Sequence, residues 1–324
     1  MINYPIKFEP ILKEKIWGGN KLKNILNKKT KKQNIGESWE ISDVDEHSTS
    51  VVANGILKGM SLKEMMQQFN QELMGKNNYK TFGNNFPLLI KFIDAQENLS
   101  IQVHPDDAIA GKRHNSFGKT EMWYVMQADT DANVIIGFED HMDKDLYKYH
   151  LKNNSLEDVL HTESIKNGDC FFINPGEIHA IGAGALIAEI QQTSDITYRV
   201  YDYNRTDKQG NSRDLHNDMA FDVINYSKND NYIMHYDKLI NQSSTITECP
   251  YFTTNFVGVK NSFCKDYTQL DSFVIYMCTQ GRATVTIDNI TEVISQGETL
   301  LIPATASNAI ITSDNAELLE VYIA

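Results

Sequence analysis

The chain has 324 residues, a formal net charge of −13, and a share of aliphatic and aromatic residues typical of a globular protein. This length allows one large or two ordinary domains, and the acidic balance argues against general nucleic-acid binding, although a local basic pocket can still bind an anion. The absence of a 20-residue apolar run, of a secretory signal and of CxxC spacing predicts a cytoplasmic protein with free thiols and no membrane span.

Short strand-like runs dominate the chain and are bounded mostly by Gly, Asn, Asp or Pro. Two regions predict helices: residues 61–75, where Ser61 and Glu64 have capping-box spacing, and a charged stretch around 143–160. Many short strands with few helices favour a mainly β fold. In chain order the strand-like runs are ESWEISDV, FPLLIKFI, LSIQVH, EMWYVMQA, ANVIIGF, DCFFINP, ALIAEIQQ, ITYRVYDYN, FVIYMC, ATVTIDN and ETLLIPA.

The run SIQVHPDD places three polar side chains on one face of a strand. Because side chains in a strand alternate between faces, Ser100, Gln102 and His104 point one way, while Ile101 and Val103 point toward a core. The proline that follows ends the strand. A polar interior face of this kind predicts a binding site inside a β-barrel.

An internal similarity links residues 168–181, GDCFFINPGEIHAI, with residues 297–310, GETLLIPATASNAI. Both resemble the second signature motif of cupins, which are small antiparallel jelly-roll barrels. The fourth residue after the proline is His179 in the first copy and Ser307 in the second. The later copy also has no Glu or His where the first has Glu121.

The expected architecture is therefore mainly β, with two cupin-like jelly-roll modules and a few short helices. A more polar stretch at residues 228–241 marks the boundary. We expect a catalytic module at 1–235, with N-terminal strands and short helices, and a module without metal ligands at 236–324.

Four polar residues of the first module form a candidate metal site: Gln102, His104, Glu121 and His179. Imidazole nitrogens, a carboxylate and an amide oxygen suit a divalent ion. A single strand histidine is more often an ordinary core or surface residue, and a lone strand glutamate more often faces solvent. Because burying such groups is costly without a partner, four of them in cupin-like register favour a metal site.

Several long runs are similar to the type I mannose-6-phosphate isomerase family, in its short bacterial form. They are FPLLIKFIDAQENLSIQVHPDD, GKTEMWYV, INPGEIHAIGAG and EIQQTSDITYRVYDYNR. The resemblance extends from about Trp17 to the end and so covers nearly the whole chain. It implies an aldose–ketose isomerase that interconverts mannose 6-phosphate and fructose 6-phosphate, with one zinc ion per chain.

The same resemblance implies a role for ten residues. The zinc ligands are Gln102, His104, Glu121 and His179, the catalytic residue is Arg199, and the substrate-binding residues are Ser100, Lys119, Lys91, Glu189 and Asp195. The chain departs from longer family members at Ile181, where they often carry tyrosine, and has too little helical sequence for their inserted helical domain.

Isomerisation moves a proton between C2 and C1 of the sugar through an enediol, which requires an acid/base and stabilisation of an oxyanion. Arg199 stays cationic and offers fixed donors for that charge. Lys119 shares strand parity with Glu121 and so faces the metal side. Glu189, Asp195, Lys119 and a metal-bound water are all candidates for the proton acceptor.

Two other classes of function compete with this interpretation. One is a different cupin metalloenzyme, either an isomerase of another hexose phosphate or an iron dioxygenase, although a dioxygenase more usually has a His-rich ligand set. The other is a non-enzymatic sugar-phosphate sensor, which need not keep Arg199 and Lys119. In each case the partner is a small sugar phosphate or related molecule, not nucleic acid or membrane, and the sequence does not determine the oligomeric state. The polar loop at 205–215 contains Arg205 and Arg213, either of which could help bind phosphate, but its composition favours an ordinary solvated loop.

Overall fold

The computed structural model describes residues 2–207, 209–229 and 231–324, and β-strands dominate its regular structure, as the sequence predicts. The strands are β1 (Phe8–Glu9), β2 (Ile11–Gly19), β3 (Ile35–Ile41), β4 (Val51–Val52), β5 (Leu88–Ala95), β6 (Ile101–Val103), β7 (Glu121–Ala128), β8 (Asn133–Phe138), β9 (Leu160–Ser164), β10 (Cys170–Ile173), β11 (His179–Ile181), β12 (Ala185–Gln192), β13 (Tyr198–Tyr201), β14 (Ser243–Glu248), β15 (Thr253–Asp266), β16 (Val274–Ile287), β17 (Ile290–Ser295), β18 (Thr299–Ile302) and β19 (Asn308–Tyr322). The helices are α1 (Lys21–Asn24), α2 (Leu62–Met74), α3 (Lys76–Phe82), α4 (Asp107–His114), α5 (Lys144–Lys152) and α6 (Asn217–Ala220), with 3₁₀ turns at Gly55–Leu57 and Glu157–Val159.

The first module is a jelly roll of two antiparallel sheets. One sheet has the order β10-β7-β12-β5-β2-β3, with β3 also pairing with β5, and the other has the order β13-β6-β11-β8-β9. Apolar side chains of both sheets meet in one buried cluster, where Ile93 and Ile187 of the first sheet join Val134 and Ile136 of the second. The two inner faces therefore enclose a common interior.

The second module is one strongly bent antiparallel sheet with the order β14-β15-β19-β16-β17, and β18 also pairs with β16. Its strands β15, β16 and β19 are 14 to 15 residues long, so each contributes to both layers of the barrel. Val257, Val285, Leu300 and Leu318 belong to its own buried core. This module is the second cupin-like barrel that the sequence predicts.

The two modules share a further apolar core. The outer face of the six-stranded sheet, including Phe92 and Met122, is buried together with Phe256 and Ile275 of the second module. Helix α2 contributes its apolar side to the same cluster. Residues 2–6 also lie against the second module. The boundary near residue 235 stays a prediction.

Helix α2 begins as predicted: the Ser61 side chain accepts a hydrogen bond from the Glu64 backbone, and the Glu64 side chain binds the Ser61 backbone in return. The charged stretch after residue 143 contains α5, also as predicted. The runs FVIYMC and ATVTIDN form strand as predicted, but both belong to one long strand, β16, and not to two separate strands. A left-handed glycine, Gly281, lies at an irregularity where the long strand bends.

Sequence patterns did not predict α3, α4 or the long strand β2. Helix α4 has a low apolar content and a single buried side chain, Ala110, so it shows no clear amphipathic period. Its start is fixed instead by Asp106, whose side chain accepts a hydrogen bond from the backbone of Ile109. Among the described residues, no helix has both the length and the apolar character needed to cross a membrane.

Candidate active site

A cavity of about 240 Å³ opens between the two sheets of the first module. Of the described side chains that line it, five are cationic and three are anionic, so the cavity is basic within an acidic chain. The lining residues are Lys15, Trp17, Glu37, Lys91, Ile93, Leu99, Ser100, Gln102, Lys119, Trp123, Ile181, Glu189, Asp195, Thr197, Arg199 and Arg213. This charge favours an anionic ligand.

Three of the four expected metal ligands meet behind this cavity. The Nε2 atoms of His104 and His179 lie 3.1 Å apart, and Glu121 lies 3.7 Å and 3.4 Å from them. All three side chains are buried, and within the described part of the chain they form the sole cluster of His, Cys, Asp and Glu suited to an ion. The set can therefore bind a divalent cation.

The fourth expected ligand, Gln102, completes the group. It lies on β6 directly opposite His179 of β11, and its amide is 3.5 Å from His104 Nε2 and 3.3 Å from His179 Nε2. Glu121 enters from β7 in the opposite sheet. Thus both layers of the barrel bring candidate ligands to one point, and the amide can present its oxygen there.

Hydrogen bonds orient both imidazoles for metal binding. Nδ1 of His104 lies 2.9 Å from the carbonyl of Ile196, and Nδ1 of His179 lies 2.8 Å from the carbonyl of Glu177. A carbonyl can only accept, so each Nδ1 carries the proton and each Nε2 is unprotonated, with its lone pair toward the shared point. Burial, together with the nearby Lys119 ammonium, lowers the pKa of His179 to about 3 and places the pKa of His104 well below its ordinary value. Both rings are therefore neutral, which is the form that binds a metal.

Glu121 supports the same conclusion. Its carboxylate is completely buried, and neither oxygen accepts a well-aligned hydrogen bond from a described residue, although Lys119 Nζ lies 2.9 Å from Oε2. Burial raises the pKa of Glu121 to about 7. An unsatisfied buried carboxylate is costly, and a bound cation would remove that cost. The donor set thus fits a divalent ion such as zinc.

A tight turn positions His179. Residues 174–177 form a turn closed by the Glu177 amide donating to the Asn174 carbonyl at 3.1 Å. Gly176 has a φ of 85°, and a Cβ there would lie 2.7 Å from the Val223 carbonyl, so glycine is required. The Gly176 amide also donates to the carbonyl of His104 at 2.9 Å, which links the turn to the other histidine.

A row of directly opposed residues crosses the inner face of the six-stranded sheet. In order they are Trp39, Lys91, Glu189, Trp123 and Phe171. Lys91 Nζ contacts Glu189 Oε1 at 2.9 Å and Gln191 Oε1 at 2.6 Å, and Trp123 Nε1 donates to Glu189 Oε2 at 2.9 Å.

Two of the expected substrate-binding residues, Lys91 and Glu189, form a buried ion pair within this row. Burial opposes both charges, but the attraction of Glu189 and Glu37 raises the pKa of Lys91 above its ordinary value. In turn Lys91 and Lys119 hold the pKa of Glu189 below its ordinary value despite burial. Both groups therefore stay charged at neutral pH.

Lys119, Ser100 and Asp195 also reach the cavity. Lys119 Nζ lies 3.0 Å from His104 Nε2, so this cation stands beside the candidate ligands as its strand parity predicts. Ser100 is buried and accepts a hydrogen bond from Arg199 Nε at 3.3 Å. Asp195 is exposed at the mouth of the cavity.

Arg199 lies on β13 opposite Gln102 of β6, which places it next to the candidate metal ligands. Its Nη1 donates to the backbone carbonyl of Asp214 at 2.9 Å. Within the described residues it forms no ion pair with a carboxylate, so its positive charge is available to a ligand.

Ile181 lines the cavity at the position where longer family members often have tyrosine. No nearby tyrosine takes that place among the described residues of the wall. Tyr124 faces the second module and donates to Glu317 at 3.3 Å, whereas Tyr198 is 2.7 Å from His114. This part of the wall is apolar.

Trp17 lines the cavity, as expected of a core or pocket-wall residue, and so do Lys15 and Glu37, which no sequence motif marks as site residues. Lys15 Nζ lies 3.0 Å from Glu37 Oε1, and Trp39 donates to Glu37 Oε2 at 2.7 Å. A period-2 alternation of polar and aromatic residues in KIW and ESW was the available signal. It was insufficient, because only the pairing of β2 with β3 brings these side chains together.

Comparison with known proteins places this site in a family. A family model described as "Phosphomannose isomerase type I, catalytic domain" matches residues 6–154. The chain is 35% identical to the mannose-6-phosphate isomerase of Streptococcus mutans, over 93% of each chain. The chain belongs to the type I phosphomannose isomerase family. Mannose-6-phosphate isomerase ManA of Bacillus subtilis, another relative, is 32% identical over 94% of each chain.

A solved structure extends this relationship to the fold. The crystal structure of the mannose 6-phosphate isomerase from Bacillus subtilis superposes with a TM-score of 0.89 at 31% identity, covering 98% of this chain and 99% of that one. The resemblance to type I isomerases stated from the motifs is therefore confirmed, as are the mainly β fold and the class of enzyme. Individual residue roles are a separate matter and stay predictions.

Proposed function

We propose that the protein interconverts mannose 6-phosphate and fructose 6-phosphate through an enediol at a zinc site. The observation that carries this proposal is the buried cluster of two neutral imidazoles and an unsatisfied carboxylate beside a basic cavity. Family membership favours the isomerase over the dioxygenase and the sensor. Four free cysteines support the proposal of a reducing, cytoplasmic location.

In this proposal Gln102, His104, Glu121 and His179 hold one divalent ion, with zinc suited to a ligand set that includes two imidazoles. When bound, such an ion would polarise the sugar oxygens at C1 and C2. Arg199, which lies beside Gln102, stabilises the negative charge that develops on those oxygens. Ser100 keeps the guanidinium in place through its hydrogen bond to Nε.

The charged row of the six-stranded sheet limits the choice of proton acceptor. Lys91 stays protonated because its pKa is raised, so it cannot act as a base. Glu189 is a weakened base, since Lys91 and Trp123 bind its carboxylate and its pKa is lowered. We assign this pair to substrate binding. Asp195 and Lys119 are then the chain's own candidates for moving the proton between C2 and C1.

A coupled assay with mannose 6-phosphate, before and after chelation and after adding zinc back, tests the function. We expect activity to be lost with the metal and restored with zinc, and elemental analysis to give about one metal per chain. Active protein with a metal content near zero would contradict the metal site.

Variants locate the site in the first module. His104→Ala and His179→Ala should each lose metal and activity together. Ser307→Ala serves as the matched control, because Ser307 is exposed at the corresponding position of the second module, and it should lose neither. Loss of metal from Ser307→Ala would mean that the wrong barrel had been chosen.

A further inference from the structure

Three arginines cluster around one carboxylate at the mouth of the candidate active site. Asp202 accepts hydrogen bonds from Arg205 Nη2 at 2.5 Å and from Arg213 Nε and Nη2 at 2.7 Å and 2.5 Å. Burial lowers the pKa of Arg199, and the nearby positive charges of Arg213 and Arg205 lower it further. Asp214 offsets part of this charge. The cluster therefore has an excess of positive charge.

Only part of this cluster reaches the cavity. Arg199 and Arg213 line it, whereas Arg205 is directed elsewhere and its Nη1 donates to the Asn98 carbonyl at 2.6 Å. Asp202 is buried and engages two of the three guanidinium nitrogens of Arg213. No described residue accepts a hydrogen bond from the third, Nη1, so that donor is available to a ligand.

The order of residues along the cavity indicates what that ligand is. Arg199 lies beside Gln102, at the end where the metal ligands meet. Its guanidinium donates to the backbone carbonyl of Asp214, an exposed residue that Arg213 immediately precedes in the chain. In a hexose 6-phosphate the phosphate is at the opposite end of the carbon chain from C1 and C2. If the reacting carbons lie beside the metal ligands, the phosphate lies toward the mouth.

We infer that Arg213, held in place by Asp202, binds the phosphate group of the substrate at the mouth of the cavity. This inference rests on the proposed function. A guanidinium suits phosphate because its planar, fixed donors match the phosphate oxygens, and the salt bridge to Asp202 already fixes the side chain before the ligand arrives. Within the loop at 205–215, Arg213 is thus a binding residue, whereas Arg205 lies outside the cavity.

The test compares Arg213→Ala with Arg205→Ala, a matched control that removes the other guanidinium on Asp202 without touching the cavity. For mannose 6-phosphate, Arg213→Ala should raise KM roughly 10- to 100-fold with kcat changed by less than about threefold, as expected for loss of one charge-assisted contact. Inorganic phosphate, used as a competitive inhibitor, should weaken by a similar factor. Arg205→Ala should change neither KM nor the inhibition constant by more than about threefold.

An unchanged KM and an unchanged phosphate inhibition constant in folded Arg213→Ala would overturn the inference, as would an equal effect of Arg205→Ala. Thermal unfolding establishes that each variant is folded. If Arg213→Ala does not fold, Arg213→Lys decides, because it keeps the charge but loses the fork: a KM raised by about threefold or more supports the assignment, and a wild-type KM contradicts it.

Failure of the proposed function is distinguishable from failure of this inference. Wild-type protein that does not isomerise mannose 6-phosphate removes the function. In that case calorimetric titration of inorganic phosphate into wild type and Arg213→Ala still tests the subsite. Weaker binding to Arg213→Ala than to wild type supports it. Equal binding to the two proteins, or no binding to wild type, overturns it.

Discussion

At the scale of single residues, Arg199 is unusual in being half-buried and positively charged without a carboxylate partner in the described structure. Its backbone is held on both sides by His216, whose Nδ1 accepts from the Arg199 amide at 3.1 Å and whose amide donates to the Arg199 carbonyl at 2.7 Å. Ser100 and the Asp214 carbonyl fix the guanidinium. The side chain is therefore organised before any substrate binds, which is what stabilising a transient charge requires.

We expect Arg199→Ala to lower kcat far more than it raises KM, because the negative charge it stabilises exists only along the reaction path. Removal of one oxyanion donor typically costs roughly 100- to 1,000-fold in rate, and loss of a charged donor should be at least comparable. Arg199→Lys should also be impaired, since it keeps the charge but loses the planar donors. Steady-state kinetics with mannose 6-phosphate and metal analysis of each variant check this.

The metal content of both variants serves as the control and should equal that of wild type, because Arg199 is not a ligand. The opposite pattern, a KM raised about tenfold or more at unchanged kcat, would make Arg199 a phosphate-binding residue. The catalytic role would then belong to the metal and the proton acceptor.

How far sequence could predict individual residues depended on how local their signal was. Gln102 lies on β6 and His104 follows directly after that strand, two positions further on, so the strand period alone predicts that they share a face. For Lys15 and Glu37 the same alternation was insufficient, since their contact depends on two strands that approach only in the fold. Arg213 was recognised only as one of two candidates, because its orientation depends on Asp202.

At the scale of strands, the two barrels contain corresponding rows of residues. Aligning Gly168 with Gly297 makes Glu121, opposite Ile173, equivalent to Val274, opposite Ile302. The second barrel thus has an apolar side chain in place of the carboxylate ligand.

The neighbouring row of directly opposed residues occurs in both barrels, with different side chains in each. In the first barrel Lys91, Glu189 and Trp123 are directly opposed, and in the second barrel Asn255, Glu320 and Tyr276 are. Asn255 donates to Glu320 Oε2 at 2.9 Å, and the Tyr276 hydroxyl lies 3.2 Å from Oε1. The corresponding row thus lines a cavity in the first barrel and forms a polar network in the second.

That network should stabilise the second barrel. Glu320 is fully buried and accepts hydrogen bonds from Tyr267 at 2.7 Å and Ser243 at 2.9 Å, and Lys265 lies 3.0 Å from it. Glu320→Ala should lower the free energy of unfolding by roughly 3–5 kcal/mol, because it leaves several buried donors and a partly buried cation unsatisfied. Urea denaturation gives this value.

The metal content of folded Glu320→Ala should equal that of wild type, since the network lies outside the first barrel. Glu248→Ala is a matched control: it removes an exposed glutamate from β14 of the same barrel and should change stability by less than about 0.5 kcal/mol. Equal, small effects of the two substitutions would contradict a structural role for the network.

Secondary structure was predictable where a local signal was strong. The capping box fixed the start of α2, and the β7 and β12 runs were predicted with the bounds that the structure has. Strand β16 was divided in two because its glycine and polar residues resemble a turn, while in the fold they form a bend within one long strand. Only pairing with β19 on both sides of the bend distinguishes these alternatives.

At the scale of the whole molecule, three buried or partly buried carboxylates lie in different regions and have pKa values shifted in the same direction. Burial alone would raise the pKa of each. Lys15 and Lys91 instead hold the pKa of Glu37 below its ordinary value, Arg213 and Arg205 do so for Asp202, and Lys265 with its neighbouring donors does so for Glu320. Lowering the pH should therefore reduce the stability of three regions over a similar range: the inner edge of the cavity, its mouth and the second barrel.

A carboxylate whose pKa is lower in the folded than in the unfolded state stabilises the fold fully above the unfolded value, and this stabilisation is lost as the pH falls through the folded value. For these groups the unfolded values are the ordinary 3.8 for Asp202 and 4.5 for Glu37 and Glu320. We therefore expect the free energy of unfolding, measured by urea denaturation after chelation, to decrease as the pH is lowered below about 4.5. Glu320→Gln cannot lose a charge in acid, so its free energy of unfolding should fall less steeply over this range than that of wild type. A wild-type curve that stays flat from pH 5 to pH 3, or a Glu320→Gln curve parallel to a falling wild-type curve, would show that Glu320 does not stabilise the fold through its charge.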